Sequence, residues 1–186
     1  MEGRLYVIGM GPGSGEMMTP QAARALERCQ VIAGYTVYVE LLKERYPQAE
    51  FLTTPMTREE ERCRMALKRA AQGAQTAMVC SGDAGVYGMA GLILELAQEY
   101  PGVAVEIIPG ITAACAGAAI LGAPLMHDFA VISLSDRLTA LELIWKRVEL
   151  AAQGDFVICL YNPASRTRKD YLARACRLIG QYRSPE

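Results

Sequence analysis

Histidine and the large aromatics are scarce in this chain. One histidine, one tryptophan and three phenylalanines occur among 186 residues. A single imidazole, His127, argues against a histidine-built metal centre. The six cysteines, at 29, 63, 80, 115, 159 and 176, contain no C-x-x-C pair. Zinc and iron–sulfur clusters therefore lack their ligand spacing, and no metal site is expected. Several of these cysteines lie inside apolar segments and read as reduced core thiols of a cytoplasmic protein. An excess of charge is also lacking: the formal net charge is −1, which argues against a nucleic-acid partner. The first residues have no basic start followed by an apolar stretch, so no secretory signal is expected. One uncharged run, 107–126, is long enough to span a bilayer. Pro109, Gly110, Gly117, Gly122 and Pro124 interrupt it, so it reads as a buried strand, turn and helix with no membrane partner.

What the chain has instead is apolar runs alternating with helical patterns. Strands are expected at 5–8, 31–33, 76–80, 103–108, 130–133 and 156–160. They are short, β-branched and mostly not alternating, as strands buried on both faces are. Helices are expected at 21–29, 58–72, 89–99, 113–121 and 138–152, with a last basic-faced helix over 165–183. Strand alternating with helix predicts an α/β fold: a parallel sheet with helices on both faces. A boundary near Gly122-Ala123-Pro124 divides the chain into an N-terminal domain, 1–122, and a C-terminal α/β domain, 123–186. The latter carries too few strands for a complete sheet, so a chain that continues beyond residue 186 is expected.

The segment Gly9-Met10-Gly11-Pro12-Gly13-Ser14-Gly15 follows the first apolar run and leads into Thr19-Pro20, a cap and a first-turn proline. Backbone can approach a ligand closely there, since side chains are missing. It is not the dinucleotide turn. Ser14 stands where the third glycine of G-x-G-x-x-G belongs, and Pro12 removes an N–H that a phosphate would use. Other strand ends are similar. One leads into Ser81-Gly82-Asp83-Ala84-Gly85-Val86-Tyr87-Gly88, another into Pro109-Gly110-Ile111-Thr112-Ala113-Ala114, and a third into Tyr161-Asn162-Pro163. Each alone is ordinary turn chemistry. Together, at the carboxyl ends of parallel strands, they predict a shared ligand site.

Each candidate also has an ordinary structural role. Asp83 caps a turn or accepts a ligand's hydrogen bonds. Thr112 caps the alanine-rich helix or meets a ligand. His127-Asp128 opens a strand or touches substrate. Tyr35 packs at a strand end or serves the site. Arg58, Arg62, Arg137, Arg166 and Arg168 read mostly as solvated surface, with one or two available to an acidic substrate.

These motifs, in this order, resemble the tetrapyrrole methylase family. The matching pieces are Val7-Ile8-Gly9-Met10-Gly11-Pro12-Gly13, the Ser81–Gly88 and Pro109–Ala114 turns and Leu160-Tyr161-Asn162-Pro163, so the resemblance covers nearly the whole chain. Within the family, Gly34-Tyr35, Met56-Thr57-Arg58, the segment 124–129 and Ile132-Ser133-Leu134-Ser135-Asp136 are most similar to members that methylate C-17 of a precorrin-3B or cobalt-precorrin-3 ring in cobalamin biosynthesis. The resemblance implies a two-domain fold, a homodimer, S-adenosylmethionine as methyl donor with S-adenosylhomocysteine as product, and a tetrapyrrole substrate.

Carried over by motif, Pro12, Ser81, Gly82, Asp83, Val86, Thr112, Ala113 and Asn162 line the cofactor site. The resemblance also implies one further contact beyond residue 186. For the ring contraction that accompanies C-17 methylation, Tyr35, His127 and Asp128, with Asp83, are the natural proton-handling candidates. Uroporphyrinogen-III methyltransferases carry an aspartate where this chain has Tyr35. A phenol ordinarily keeps its proton at neutral pH, so Tyr35 reads as a hydrogen-bond donor rather than a base. Two other readings stand beside this one: a family methylase acting at another ring position, and a non-catalytic nucleotide-binding scaffold. A nicotinamide oxidoreductase is disfavoured by Pro12, Ser14 and the lack of an acidic residue shortly after the second strand.

Overall fold

The computed structural model describes residues 3–165 and 168–184. Arg166, one of the arginines read as surface, lies outside the described residues. The chain divides into two compact units, Met1–Ala116 and Gly117–Glu186.

The first unit is built on five parallel strands, β1 (Gly3–Gly9), β2 (Val31–Tyr35), β3 (Glu50–Thr54), β4 (Gln75–Cys80) and β5 (Val103–Ile108). Their order is β3-β2-β4-β1-β5, with Val7 level with Met78 on one side and Ile107 on the other. Four helices cover it: α1 (Pro20–Arg28), α2 (Thr36–Lys43), α3 (Glu59–Ala71) and α4 (Ala90–Leu96). The apolar run of β1 is explained by burial on both faces. Tyr6 and Ile8 pack with Leu26 of α1 and Val39 of α2. Leu5 and Val7 pack with Leu67 of α3 and Ile93 of α4. β1 and β4 are neighbours, yet the chain leaves β1 toward α1 on one face and β4 toward α4 on the other. Such a divergence opens a crevice at the carboxyl ends of the strands, where parallel sheets bind ligands.

The helix α5 (Ala113–Ile120) runs across the division between units. It is followed by a left-handed turn at Gly122 and Ala123, with φ of 85° and 58°. The second unit holds β6 (Phe129–Ser133), α6 (Leu141–Gln153), β7 (Val157–Tyr161) and α7 (Tyr171–Ile179). β6 and β7 pair in parallel over a core of Ile132, Leu134, Ile144, Trp145, Val148 and Ala175. Among the described residues, no helix is long and apolar enough to cross a membrane.

Four elements differ from the sequence expectation. β3 and α2 were not anticipated, and the last helix is confined to Tyr171–Ile179 rather than 165–183. Ser165 and Arg168 instead exchange turn hydrogen bonds ahead of it. The helix expected over 89–99 ends at Leu96 and tightens into a 3-10 turn over Ala97–Glu99.

Candidate functional site

The exits of β1, β4 and β5 meet through backbone. Gly11 N–H donates to Gly82 O at 3.0 Å, and Gly82 N–H returns the bond to Gly11 O at 2.7 Å. The loop after β1 is thereby zipped onto the loop after β4. Beneath that zipper the approach is too close for side chains. A β-carbon on Gly110 would stand 2.1 Å from Gly82 O, and one on Gly9 would stand 2.6 Å from Gly110 N. Gly82 itself has φ +67°, a backbone region that glycine enters without penalty. Three strand ends therefore share one floor made of main chain.

Asp83 locks this floor. Its Oδ1 accepts the N–H groups of Gly85 at 2.7 Å and Val86 at 3.0 Å, and its Oδ2 accepts the N–H of Gly110 at 2.9 Å. A carboxylate with three backbone donors is a strong turn organiser. Around the floor, the side chains of Pro12, Ser81 and Ala113 are exposed, while Val86 and Thr112 are half-buried. Entry from the floor into α1 follows the expected chemistry: Thr19 Oγ1 accepts the N–H of Ala22 at 3.1 Å, with Pro20 in the first turn. Below it, Cys80 ends β4, and its Sγ accepts the Met89 N–H at 3.4 Å. Burial pushes that thiol up to about 11.

Pro12, Ser81, Gly82, Asp83, Val86 and Thr112 thus lie on three adjoining loops of the first unit, and Ala113 opens α5 directly after the third. Tyr35 stands on the same carboxyl edge, as the last residue of β2 and the cap position of α2, with its ring edge-on to Tyr38 at 5.4 Å. His127, Asp128 and Asn162 belong to the second unit. His127 and Asp128 are exposed, and Asp128 O accepts the N–H of Val157 at 3.0 Å as the β6–β7 pairing begins. Asn162 follows β7 with φ +50°, and its Nδ2 donates to Ser133 Oγ at 3.0 Å.

The arginines divide. Arg58, paired with Glu61, and Arg137 are exposed, as expected of solvated surface. Arg62 and Arg168 correct that expectation. Arg62 is 5 % exposed because it shares the buried stripe of α3 with Ala66 and Ala70, the i, i+4, i+8 positions of one helix face. The Arg168 side chain is 11 % exposed. Its Nη1 donates to Leu134 O at 2.9 Å and Asn162 O at 3.3 Å, tying the exits of β6 and β7 together. Gly110 and Ser133 were read from the sequence only within motifs, and Arg168 only as a surface or substrate-facing arginine. For Gly110 the signal was present, a strand followed by Pro-Gly. For the inward turn of Arg168 none was, because its partners are backbone carbonyls, one of them, Leu134 O, distant in sequence. Among the described residues, no three His, Cys, Asp or Glu side chains gather in a metal-holding group.

Known proteins share this arrangement. The family model of the tetrapyrrole (corrin/porphyrin) methylases matches residues 4–186. A probable cobalt-factor III C(17)-methyltransferase of Salmonella typhimurium is 49 % identical over 98 % of this chain and 76 % of its own length. A cobalt-factor III methyltransferase of Priestia megaterium is 48 % identical over the whole chain, which spans 35 % of that longer protein. The crystal structure of the methyltransferase CobJ superposes with a TM-score of 0.91 at 38 % identity, over 98 % of this chain and 77 % of CobJ. With glycine turns of this kind closing three ends of a parallel sheet, and a family match that runs through both units, the chain belongs to the tetrapyrrole (corrin/porphyrin) methylases.

Proposed function

We propose that this chain is an S-adenosylmethionine-dependent methyltransferase that methylates C-17 of a precorrin-3B or cobalt-precorrin-3 macrocycle, coupled to ring contraction, in cobalamin biosynthesis. The observation that carries the cofactor assignment is the main-chain floor at Gly9, Gly82 and Gly110, held by Asp83. When bound, S-adenosylmethionine supplies a methyl group already activated by its sulfonium. The chain's task is then alignment, which in well-oriented systems contributes ~7–11 kcal/mol. A rigid floor of backbone suits that task, because it offers N–H and C=O groups whose positions do not depend on rotamers.

In this reading Pro12, Ser81, Val86, Thr112 and Ala113 contact the cofactor from the rim, and Gly82 does so through its backbone. Asp83 orients the turn, and Asn162 is assigned a cofactor contact on its motif. Tyr35 donates a hydrogen bond to the macrocycle at the exit of β2. His127 and Asp128 handle protons during ring contraction. The name of the Salmonella relative supports the ring position, and that of the Priestia relative the cobalt-factor III substrate.

The working form we propose is a homodimer in the cytoplasm. Six free cysteines are consistent with a reducing compartment. Exposed Ile120, Leu121 and Met126, at 83 %, 77 % and 82 %, supply apolar surface for a second copy. Sedimentation velocity measures that state directly.

The functional test is calorimetric titration with S-adenosylhomocysteine, with NADH as control, followed by turnover of cobalt-precorrin-3. Micromolar binding of the first alone, and a product heavier by one methyl at C-17, is expected. Binding with no methyl transfer by the complete protein would leave the scaffold reading in its place.

A further inference from the structure

Arg62 is a buried cation without a carboxylate partner among the described residues. Its Nη1 donates to Thr54 Oγ1 at 2.7 Å and to Thr54 O at 3.4 Å. Its Nε is sealed from solvent and makes no hydrogen bond. Three acids precede it directly in sequence, and each is engaged elsewhere. Glu59 accepts the Thr57 N–H at 3.1 Å, Glu60 pairs with Arg64 at 3.0 Å, and Glu61 pairs with Arg58. The Thr54 hydroxyl donates to Arg58 O at 3.2 Å while accepting from Arg62, so it contributes no negative charge. A buried charge that only neutral groups meet is costly to keep. An anion that arrives with a ligand relieves that cost, and a planar guanidinium is shaped to take a carboxylate.

The place of Arg62 says which ligand. Thr54 is the last residue of β3 and is level with Tyr35, the last residue of β2. The guanidinium therefore sits at the exit of β3, beside the exit of β2, on the carboxyl edge that carries the glycine floor. That is the Tyr35 side of the sheet, the far side from β5.

We propose that the Arg62 guanidinium, held by Thr54 at the exit of β3 and level with Tyr35, receives one peripheral carboxylate of the tetrapyrrole substrate and so helps fix how the ring is seated. This rests on the methyltransferase reading above. Arg62 thereby acts on the macrocycle and not on the methyl donor.

The test compares the whole wild-type protein with Arg62→Gln and Arg62→Lys. Cobalt-factor III and its methyl ester are titrated by absorbance, and S-adenosylhomocysteine by calorimetry. Wild type should prefer the acid to the ester. Arg62→Gln should lose at least tenfold of that preference, with S-adenosylhomocysteine affinity within about twofold of wild type. Arg62→Lys, which keeps a cation but loses the fork, should fall between; it carries the comparison if Arg62→Gln fails to bind S-adenosylhomocysteine. An unchanged acid-to-ester preference in the variants overturns the proposal while leaving the function intact. A wild-type protein that binds S-adenosylhomocysteine but neither tetrapyrrole overturns the substrate reading, and this proposal with it.

Discussion

Asp83 Oδ2 accepts the backbone N–H of Gly110 at 2.9 Å, a bond that joins the exit of β4 to the exit of β5 past the intervening β1. The other oxygen of the same carboxylate holds the Gly85 and Val86 amides. Asp83→Asn keeps the shape, removes the charge and presents an NH2 group to one set of donors. Charge-assisted bonds of this kind are worth about 2 kcal/mol. A loss of that order in unfolding free energy is expected by chemical denaturation, with at least tenfold weaker S-adenosylhomocysteine binding. Equal affinity in the variant would detach the turn from the cofactor site.

Gly110→Ala should be more damaging than its single methyl suggests. The added carbon meets the carbonyl oxygen of Gly82 and the backbone of Gly9, and main chain cannot rotate aside. Destabilisation of about 3 kcal/mol is expected. By contrast, Gly91→Ala, where a β-carbon meets nothing within 4 Å, should be neutral or slightly stabilising. Thermal unfolding of the two variants side by side decides between a packed floor and a loose loop.

Asn162 separates backbone from side chain. At φ +50°, Asn162→Ala pays a left-handed penalty of about 1 kcal/mol, whereas Asn162→Gly does not. Both lose the bond to Ser133 Oγ. If the amide belongs to the cofactor site, both variants weaken S-adenosylhomocysteine binding about tenfold, and only Asn162→Ala also unfolds earlier. Calorimetry of Asn162→Gly with undiminished affinity would remove Asn162 from the site.

The buried thiols make the fold sensitive to alkali. Burial pushes Cys29 and Cys63 up to about 12 and Cys80 up to about 11. An unfolded thiol titrates near ~8.5, so between that pH and the folded values the unfolded chain binds fewer protons than the native one. The stability from keeping these thiols neutral is complete below the unfolded value and drains away as pH rises toward 11–12. Denaturant midpoints should fall progressively above pH 9. In the native protein at pH 8, iodoacetamide should label the exposed Cys115 and Cys176 and spare Cys29, Cys63 and Cys80, as peptide mass mapping would show.

Where periodicity and burial agreed, the sequence was readable. β1, β4 and β5 are apolar runs between glycine or proline turns, and the strands lie where those runs are. β3 was missed because Glu50-Phe51-Leu52-Thr53-Thr54 is a half-exposed edge strand with little apolar content. α2 was missed because Thr36, Val37 and Val39 are β-branched and follow β2 with no intervening turn residue, so the segment reads as extended chain. The glycine turns were legible as a ligand edge, but their mutual contact was not, because backbone pressing on backbone leaves no mark in residue type. Arg62 and Arg168 were misread for a related reason: charge speaks for the surface, and only the three-dimensional partners reveal an arginine turned inward.

The shared floor of Gly9, Gly82 and Gly110 divides the site into parts that differ in how freely they can vary. A side chain introduced at Gly9 or Gly110 runs into the backbone of the other two, and Gly82 is held to glycine by its φ of +67°, so the floor behaves as a single inherited unit. Pro12, Ser81 and Ala113 stand exposed above it, each replaceable without moving main chain. Attempts to retune ligand preference in this protein belong on that rim, where a library of variants can be searched without breaking the main-chain floor beneath.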